Sequence, residues 1–83
     1  MSDATLLTVY SRECCHLCHD MIEALDALRS VYPFAVRVVD IEDDEDLEQR
    51  YGHLVPVLIA NGEEICHYHL DPAALAAYFG RIL

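Results

Sequence analysis

The chain reads LLTVYSRECCHLC over residues 6–18, where a short apolar run leads into a Cys-x-x-Cys pair. Residues 6–10 are rich in strand-forming side chains, which predicts a buried first strand. Apolar residues then recur at the spacing of one helix face, so Cys15 and Cys18 lie where a strand ends and a helix begins. The predicted helix face consists of Leu17, Met21, Ile22, Leu25 and Leu28.

The position of Cys15 at a helix start predicts a reactive thiol. The first backbone N–H groups of a helix have no partners within it, and the helix dipole is positive there, so both favour a thiolate. We therefore expect a lowered pKa for the Cys15 thiol, and the thiolate is the form that attacks disulfides. Cys18, three residues further on, can close a disulfide with Cys15. Cys14 offers an alternative frame, although the three-residue spacing suits a helix start better.

The middle of the chain predicts a second strand and a second helix. Pro33 is expected to end the first helix, and the valine-rich stretch Phe34–Ile41 is typical of a strand. Acidic residues then begin the second helix, where the dipole favours them, and Gly52 ends it.

The last third of the chain predicts a hairpin followed by a helix. Pro56–Ala60 and Glu63–His69 are predicted strands, joined by Asn61-Gly62, a dipeptide that suits a type I′ turn. Asp71-Pro72 opens the last helix, with Asp as N-cap and Pro at the first helical position. Its apolar face is predicted to hold Leu75, Tyr78, Phe79 and Ile82. The predicted fold class is α/β, a four-stranded mixed sheet in the order βαβ-α-ββα with helices on both faces.

Length and charge limit what the chain can do. Its 83 residues predict a single domain over residues 1–83, with a packed core from about residue 6. The net charge of −10 disfavours binding to nucleic acid or to anionic membranes. No apolar run approaches the roughly 20 residues of a membrane span, and the first residues lack the features of a signal peptide. We therefore expect the protein to lie in the cytoplasm. We also expect it to be a monomer.

The element order, the Cys-x-x-Cys pair at the first strand-to-helix turn and Val55-Pro56 at the third strand resemble the thioredoxin fold. In its compact form the chain is similar to a divergent, small, bacterial-type glutaredoxin, over about residues 6–83. This resemblance implies that Cys15 attacks a substrate disulfide and that Cys18 resolves the mixed disulfide. It also implies a cis peptide bond before Pro56, which would face the two cysteines.

The resemblance extends to residues that would contact a substrate. Tyr10 and Arg12 stand five and three positions before Cys15, where glutaredoxins carry a tyrosine and a basic residue. Arg12 would then pair with a glutathione carboxylate, and the backbone groups of Val55 would pair with an extended substrate. His16 and Leu17, between the two active-site cysteines, complete the predicted substrate contacts.

The chain departs from the glutaredoxin pattern at several positions. Cys66 and His67 stand where the family has a glycine pair that holds part of glutathione. His16 and Leu17 replace the usual proline and aromatic residue between the cysteines. We expect Cys66 to fill space in the core.

Three functions are compatible with these residues. The leading one is a thiol–disulfide oxidoreductase that reduces protein disulfides or glutathione mixed disulfides, with no bound cofactor and with glutathione as a candidate co-substrate. The alternative is a metal or iron–sulfur module, although structural zinc usually takes two separate ligand pairs. A third is a redox-inactive module that binds a partner protein. The soft ligands for the metal alternative are Cys14, Cys15, His16, Cys18 and His19.

Overall fold

The computed structural model describes residues 5–82, in which four strands and three helices follow one another in the predicted order. The strands are β1 (Thr5–Ser11), β2 (Phe34–Asp40), β3 (Val57–Ala60) and β4 (Glu63–His67). The helices are α1 (His16–Ala27), α2 (Glu45–Tyr51) and α3 (Pro72–Ile82). The expected domain bounds of 1–83 extend beyond the described residues at both ends.

The four strands form one mixed sheet in the order β2-β1-β3-β4. β1 runs parallel to β2 and antiparallel to β3, and β3 pairs with β4 as an antiparallel hairpin. This arrangement confirms the predicted α/β class, because the α1 crossover makes the first pair parallel and the tight turn makes the last pair antiparallel. The carboxyl ends of β1, β2 and β4 and the start of β3 therefore meet at one end of the sheet.

The main core lies on the face of the sheet that α1 and α3 cover. Alternate residues of β1 point into it, since Leu7 and Val9 are fully buried there. The opposite face carries Tyr10, whose ring stacks on Tyr51 of α2. Helices therefore cover both faces of the sheet, as predicted. The core cluster consists of Leu7, Val9, Met21, Leu25, Phe34, Leu58, Ala60, Leu75, Tyr78 and Phe79.

The first helix ends earlier than predicted, because α1 stops at Ala27 instead of reaching Pro33. The backbone of Leu28 caps it, and the chain then continues in turns, with the Tyr32 N–H donating to the Leu28 carbonyl at 3.1 Å. Tyr32 stacks on Phe79 of α3, with ring centroids 4.6 Å apart. This packing holds Tyr32 against α3, and the residues after Ala27 therefore depart from α1 before Pro33.

The hairpin turn has the backbone that Asn-Gly predicts. Asn61 has φ 51° and Gly62 has φ 78°, and a type I′ turn requires positive φ at both positions. β4, however, ends at His67 instead of His69, because Tyr68 takes a φ of 66° that interrupts the extended chain. Ile82, predicted on the inner face of α3, is 46% exposed at the end of that helix. No helix within residues 5–82 has the length and apolar character needed to cross a membrane.

Candidate functional site

Cys15 and Cys18 are joined in a disulfide at the start of α1, with their Cα atoms 5.2 Å apart. Cys15 is the N-cap of the helix and has an extended backbone, with φ −109° and ψ 111°. Its Sγ accepts a hydrogen bond from the Cys18 backbone N–H at 3.1 Å. A sulfur at this position meets N–H groups that the helix itself cannot satisfy, and the prediction of a lowered pKa for the reduced Cys15 thiol rests on this geometry.

The two cysteines differ in their access to solvent. Cys18 is fully buried on the inner face of α1, in line with Met21 and Leu25, whereas Cys15 is half-buried at the helix tip. An incoming molecule therefore reaches the sulfur of Cys15 first. Cys14 precedes it as an exposed free thiol.

The Val55–Pro56 peptide bond is cis, and Pro56 is fully buried. Val57, the next residue, pairs with Tyr10 of β1. Because β1 runs into the Cys15 segment, this register places Pro56 at the same end of the sheet as the disulfide.

The backbone N–H of Val55 donates to the carbonyl of Tyr51 at 3.1 Å. The sequence predicts that the backbone groups of Val55 are free for an extended substrate, and for the N–H this prediction is wrong. The chain continues in turns after α2, so the backbone N–H groups of Leu54 and Val55 both donate to the Tyr51 carbonyl.

Arg12 is held by α2. Its guanidinium makes a bidentate ion pair with Glu48, with Nη1 donating to Oε2 at 2.7 Å and Nη2 donating to Oε1. Nη2 also donates to the Gly52 carbonyl at 3.1 Å. The hydrogen bond with Glu48 raises the pKa of Arg12, and the same bond lowers the pKa of the Glu48 carboxyl. The Arg12 guanidinium, which was predicted to bind a substrate carboxylate, is therefore already paired with the carboxylate of Glu48.

Gly52 ends α2 in a different way from the one predicted. Its φ is −53°, in the right-handed helical region and not the left-handed one that favours glycine. A side chain there would lie 2.7 Å from Oε1 of Glu48 and 3.1 Å from Nη2 of Arg12. A Cβ would also clash with the backbone carbonyl oxygen of Glu48, which cannot move aside as a side chain can, so the turn at the end of α2 needs a glycine.

The remaining predicted contact residues differ in what they do. The Tyr10 ring lies against the Tyr51 ring with centroids 4.6 Å apart and planes inclined by 12°, so it anchors α2 on the sheet. His16 is exposed at the first position of α1, and Leu17 after it is half-buried. These two residues border Cys15 along the chain.

Tyr68 is a residue that the sequence did not single out. Its backbone N–H donates to the Pro56 carbonyl at 2.9 Å and its hydroxyl donates to the His53 carbonyl at 2.7 Å. Its ring stays 42% exposed, beside the segment that carries the cis proline. A tyrosine with positive φ is uncommon, and such backbones are often found at functional sites. No sequence signal marks it, because Tyr is an ordinary strand residue.

Cys66, on β4, is a half-buried free thiol. Burial raises the pKa of this thiol, against a smaller opposite effect of the hydrogen bond from the Asp71 backbone. It packs against the core cluster, as expected for a small apolar side chain.

The structure gives no support to a metal or iron–sulfur module. Within residues 5–82, one group of three or more side chains could share an ion, and it consists of the exposed carboxylates of Glu13, Asp40 and Glu42. It includes neither the cysteines nor the histidines of the Cys14–His19 segment.

Comparison with known proteins agrees with this architecture. The family model of the glutaredoxin-like domain (DUF836) matches residues 6–80. Protein Ne2328 from Nitrosomonas europaea is 40% identical, with 94% of each chain covered and a TM-score of 0.86. Protein XcR50 from X. campestris is 39% identical, covering 90% of this chain and 96% of that one, with a TM-score of 0.74.

More distant structures share the fold. Glutaredoxin of E. coli is 22% identical over 94% of this chain and 96% of its own, with a TM-score of 0.57. No curated protein sequence matches the chain. The family model covers nearly the whole chain, and the two closer structures match it almost end to end. The chain therefore belongs to the glutaredoxin-like domain family (DUF836).

Proposed function

We propose that this protein is a thiol–disulfide oxidoreductase that uses Cys15 and Cys18 as a dithiol/disulfide pair. The observation that carries the proposal is the bonded pair at the N-terminus of α1, with one sulfur accessible and the other buried. This asymmetry assigns two different tasks. The accessible thiol meets the substrate, and the buried thiol reaches only its neighbour.

In the first step, the reduced protein attacks the substrate disulfide. The Cys15 thiolate displaces one substrate sulfur, so that a Cys15–substrate disulfide forms as the substrate S–S bond breaks. The displaced substrate thiolate takes a proton from water or from a nearby acid. His16 is adjacent to Cys15 and exposed, and in its protonated form it is our candidate donor.

In the second step, the Cys18 thiolate attacks the sulfur of Cys15 and closes the Cys15–Cys18 disulfide. The second substrate sulfur leaves as a thiolate and is protonated in turn. Two electrons have then passed from the dithiol to the substrate. A low-molecular-weight thiol or a dithiol reductase returns them by the reverse exchange.

The proposal is tested by reduction of a protein disulfide, with insulin as substrate and dithiothreitol as electron source. We expect the wild-type protein to accelerate reduction, Cys15→Ser to lose the acceleration, and Cys18→Ser to accumulate a covalent mixed disulfide with the substrate. Cys14→Ser and Cys66→Ser are matched controls that remove the two thiols outside the pair and should keep the activity. Activity in Cys15→Ser, or its loss in Cys14→Ser with Cys15 intact, would contradict the proposed roles.

A further inference from the structure

We infer that the Cys15–Cys18 site acts on disulfides of protein chains and discriminates against glutathione, and that Glu48 sets this selectivity by occupying Arg12. The inference rests on the proposed oxidoreductase function and narrows its substrate class. It follows from which groups at this end of the sheet are available to an incoming molecule.

Arg12 is the arginine closest to Cys15 along the chain, and both of its terminal nitrogens are already paired. Glu48 takes both terminal nitrogens in a bidentate pair, and the Gly52 carbonyl takes a further bond at 3.1 Å. Bidentate pairing of arginine with a carboxylate is among the stronger polar interactions in proteins. Glu48 belongs to the same folded chain, so its carboxylate is already in place against the guanidinium before a substrate arrives. A substrate carboxylate would have to displace it.

No other arginine in the described part of the chain replaces Arg12 at this place. Arg37 lies on β2 opposite Thr8, three positions before the end of that strand. The other three arginines pair with acids: Arg29 with Asp26, Arg50 with Asp46 and Arg81 with Glu63. The imidazoles of His16 and His19 each offer single nitrogens and lack the two-pronged geometry that a carboxylate matches.

The surroundings of Arg12 add negative charge. Glu13, Asp40 and Glu42 are exposed, and their carboxylate oxygens lie within 4.8 Å of one another. Glu42 accepts from the Glu13 backbone N–H at 3.1 Å, which draws this acidic group against the segment that leads to Cys15. Glutathione carries two carboxylates and would meet repulsion here without a free guanidinium to offset it.

A protein segment does not need that guanidinium. It approaches the disulfide with backbone amides and apolar side chains, and the exposed ring of Tyr68 beside Pro56 offers an apolar surface for them. Aromatic residues that combine an apolar ring with a polar tip are enriched at protein interfaces. The groups present at this end of the sheet therefore favour a protein substrate.

The direct test compares two small substrates that differ in whether the glutathione carboxylates are ionised or esterified. One is an amidated peptide glutathionylated on its cysteine, and the other is the same mixed disulfide with both glutathione carboxylates esterified. For the wild-type protein we expect kcat/KM for the ester to equal or exceed that for the acid. For Glu48→Gln, which frees Arg12, we expect the acid-to-ester ratio to rise about tenfold, mainly through a lower KM, because the freed guanidinium can make charge-assisted hydrogen bonds to a glutathione carboxylate.

Two controls separate selectivity from structure. Glu45→Gln removes the same charge from an exposed position of α2 and should leave the ratio unchanged. Arg12→Leu combined with Glu48→Gln should lose the gain, because the freed guanidinium is then absent. Wild-type preference for the acid over the ester, or an unchanged ratio in Glu48→Gln, would overturn the inference while leaving the oxidoreductase intact. If the wild-type protein also fails to accelerate insulin reduction, both the proposed function and this inference are overturned.

Discussion

At the scale of single residues, the site depends on one pairing between neighbours in the chain and on one between distant residues. Cys15 and Cys18 are three positions apart at a helix start, so local geometry brings them together. The pairing of Arg12 with Glu48 spans 36 positions and joins a loop to a helix. Fifteen acidic residues compete for five arginines in this chain, and no local pattern selects this pair among them.

The two thiols outside the pair should differ in reactivity. Cys66 is half-buried and its pKa is raised by burial, whereas Cys14 is exposed. In the oxidised protein we expect iodoacetamide to label Cys14 first at neutral pH. Labelling of Cys66 should increase as the pH rises above the ordinary range of a thiol, because only the thiolate reacts. Time-resolved peptide mapping measures both rates, and equal labelling at neutral pH would contradict the burial of Cys66.

Tyr68 gives a second prediction at this scale. If its ring contacts protein substrates, Tyr68→Ser should lower kcat/KM for insulin by about tenfold. A tenfold change corresponds to about 1.4 kcal/mol, which lies within the range measured for an aromatic contact. Tyr68→Phe keeps the ring but loses the hydroxyl bond to the His53 carbonyl, so it should retain most of the rate. Oxidised glutathione serves as the comparison substrate, because it has no apolar protein segment to lie against this ring. An equal loss on both substrates would indicate a purely structural role.

At the scale of helices and strands, the residues at which most elements begin could be predicted, but the residues at which several of them end could not. Helix starts carry their own local chemistry: Asp44 accepts from two N–H groups at the start of α2, and Asp71 does the same at the start of α3. The ends of α1 and β4 depend on tertiary contacts instead. Tyr32 leaves the helix to stack on Phe79, and Tyr68 leaves the strand to bond Pro56. Such contacts have no local sequence signature.

The two caps should contribute differently to stability. Asp71→Ala removes the cap of α3, which carries three core residues, and we expect it to lower the free energy of global unfolding by about 1 kcal/mol. Asp44→Ala removes the cap of α2, which has no fully buried residue, so its effect should be confined to local opening. Urea unfolding measures the first and amide hydrogen exchange of α2 the second. Asp71→Asn, which retains an acceptor, should restore stability.

The Arg12–Glu48 pair also makes stability depend on pH. The pKa of Glu48 is lowered in the folded protein, so the unfolded chain binds its proton more readily. The stabilisation is present above the ordinary range of a glutamate and is lost as the pH falls through the lowered folded value. We therefore expect the difference in Tm between the wild-type protein and Glu48→Gln to shrink on acidification. A difference that is constant with pH would show that the pair contributes nothing through ionisation.

At the scale of the whole molecule, the acidic charge complements the local arrangement around Arg12. The net charge of −10 was evident from composition, and it disfavours anionic partners at long range. The fold class was also predictable, because apolar periodicity and turn chemistry agree along almost the whole chain. What composition could not show is that Arg12, the arginine closest to Cys15 along the chain, is already paired with a carboxylate of the protein itself.

This charge predicts how small disulfides compete for the reduced protein. Cystamine carries two ammonium groups and oxidised glutathione carries a net negative charge, so we expect cystamine to react faster at low ionic strength. Salt screens such interactions over about 10 Å at 0.1 M, and the rate ratio should therefore fall as salt is added. Stopped-flow kinetics over a salt series measures the ratio. A ratio that is independent of salt would contradict long-range steering by the net charge.

In the proposed mechanism, Cys15 and Cys18 form a reversible redox pair and the other two thiols do not take part. We would equilibrate the protein in graded mixtures of reduced and oxidised dithiothreitol, alkylate the free thiols after acid quenching, and locate the disulfide by intact mass and peptide mapping. We expect one reversible transition of two electrons, with Cys15 and Cys18 linked in the oxidised protein and with Cys14 and Cys66 alkylated throughout. A protein that shows no Cys15–Cys18 bond in any mixture, or that links Cys14 or Cys66 instead, would contradict it.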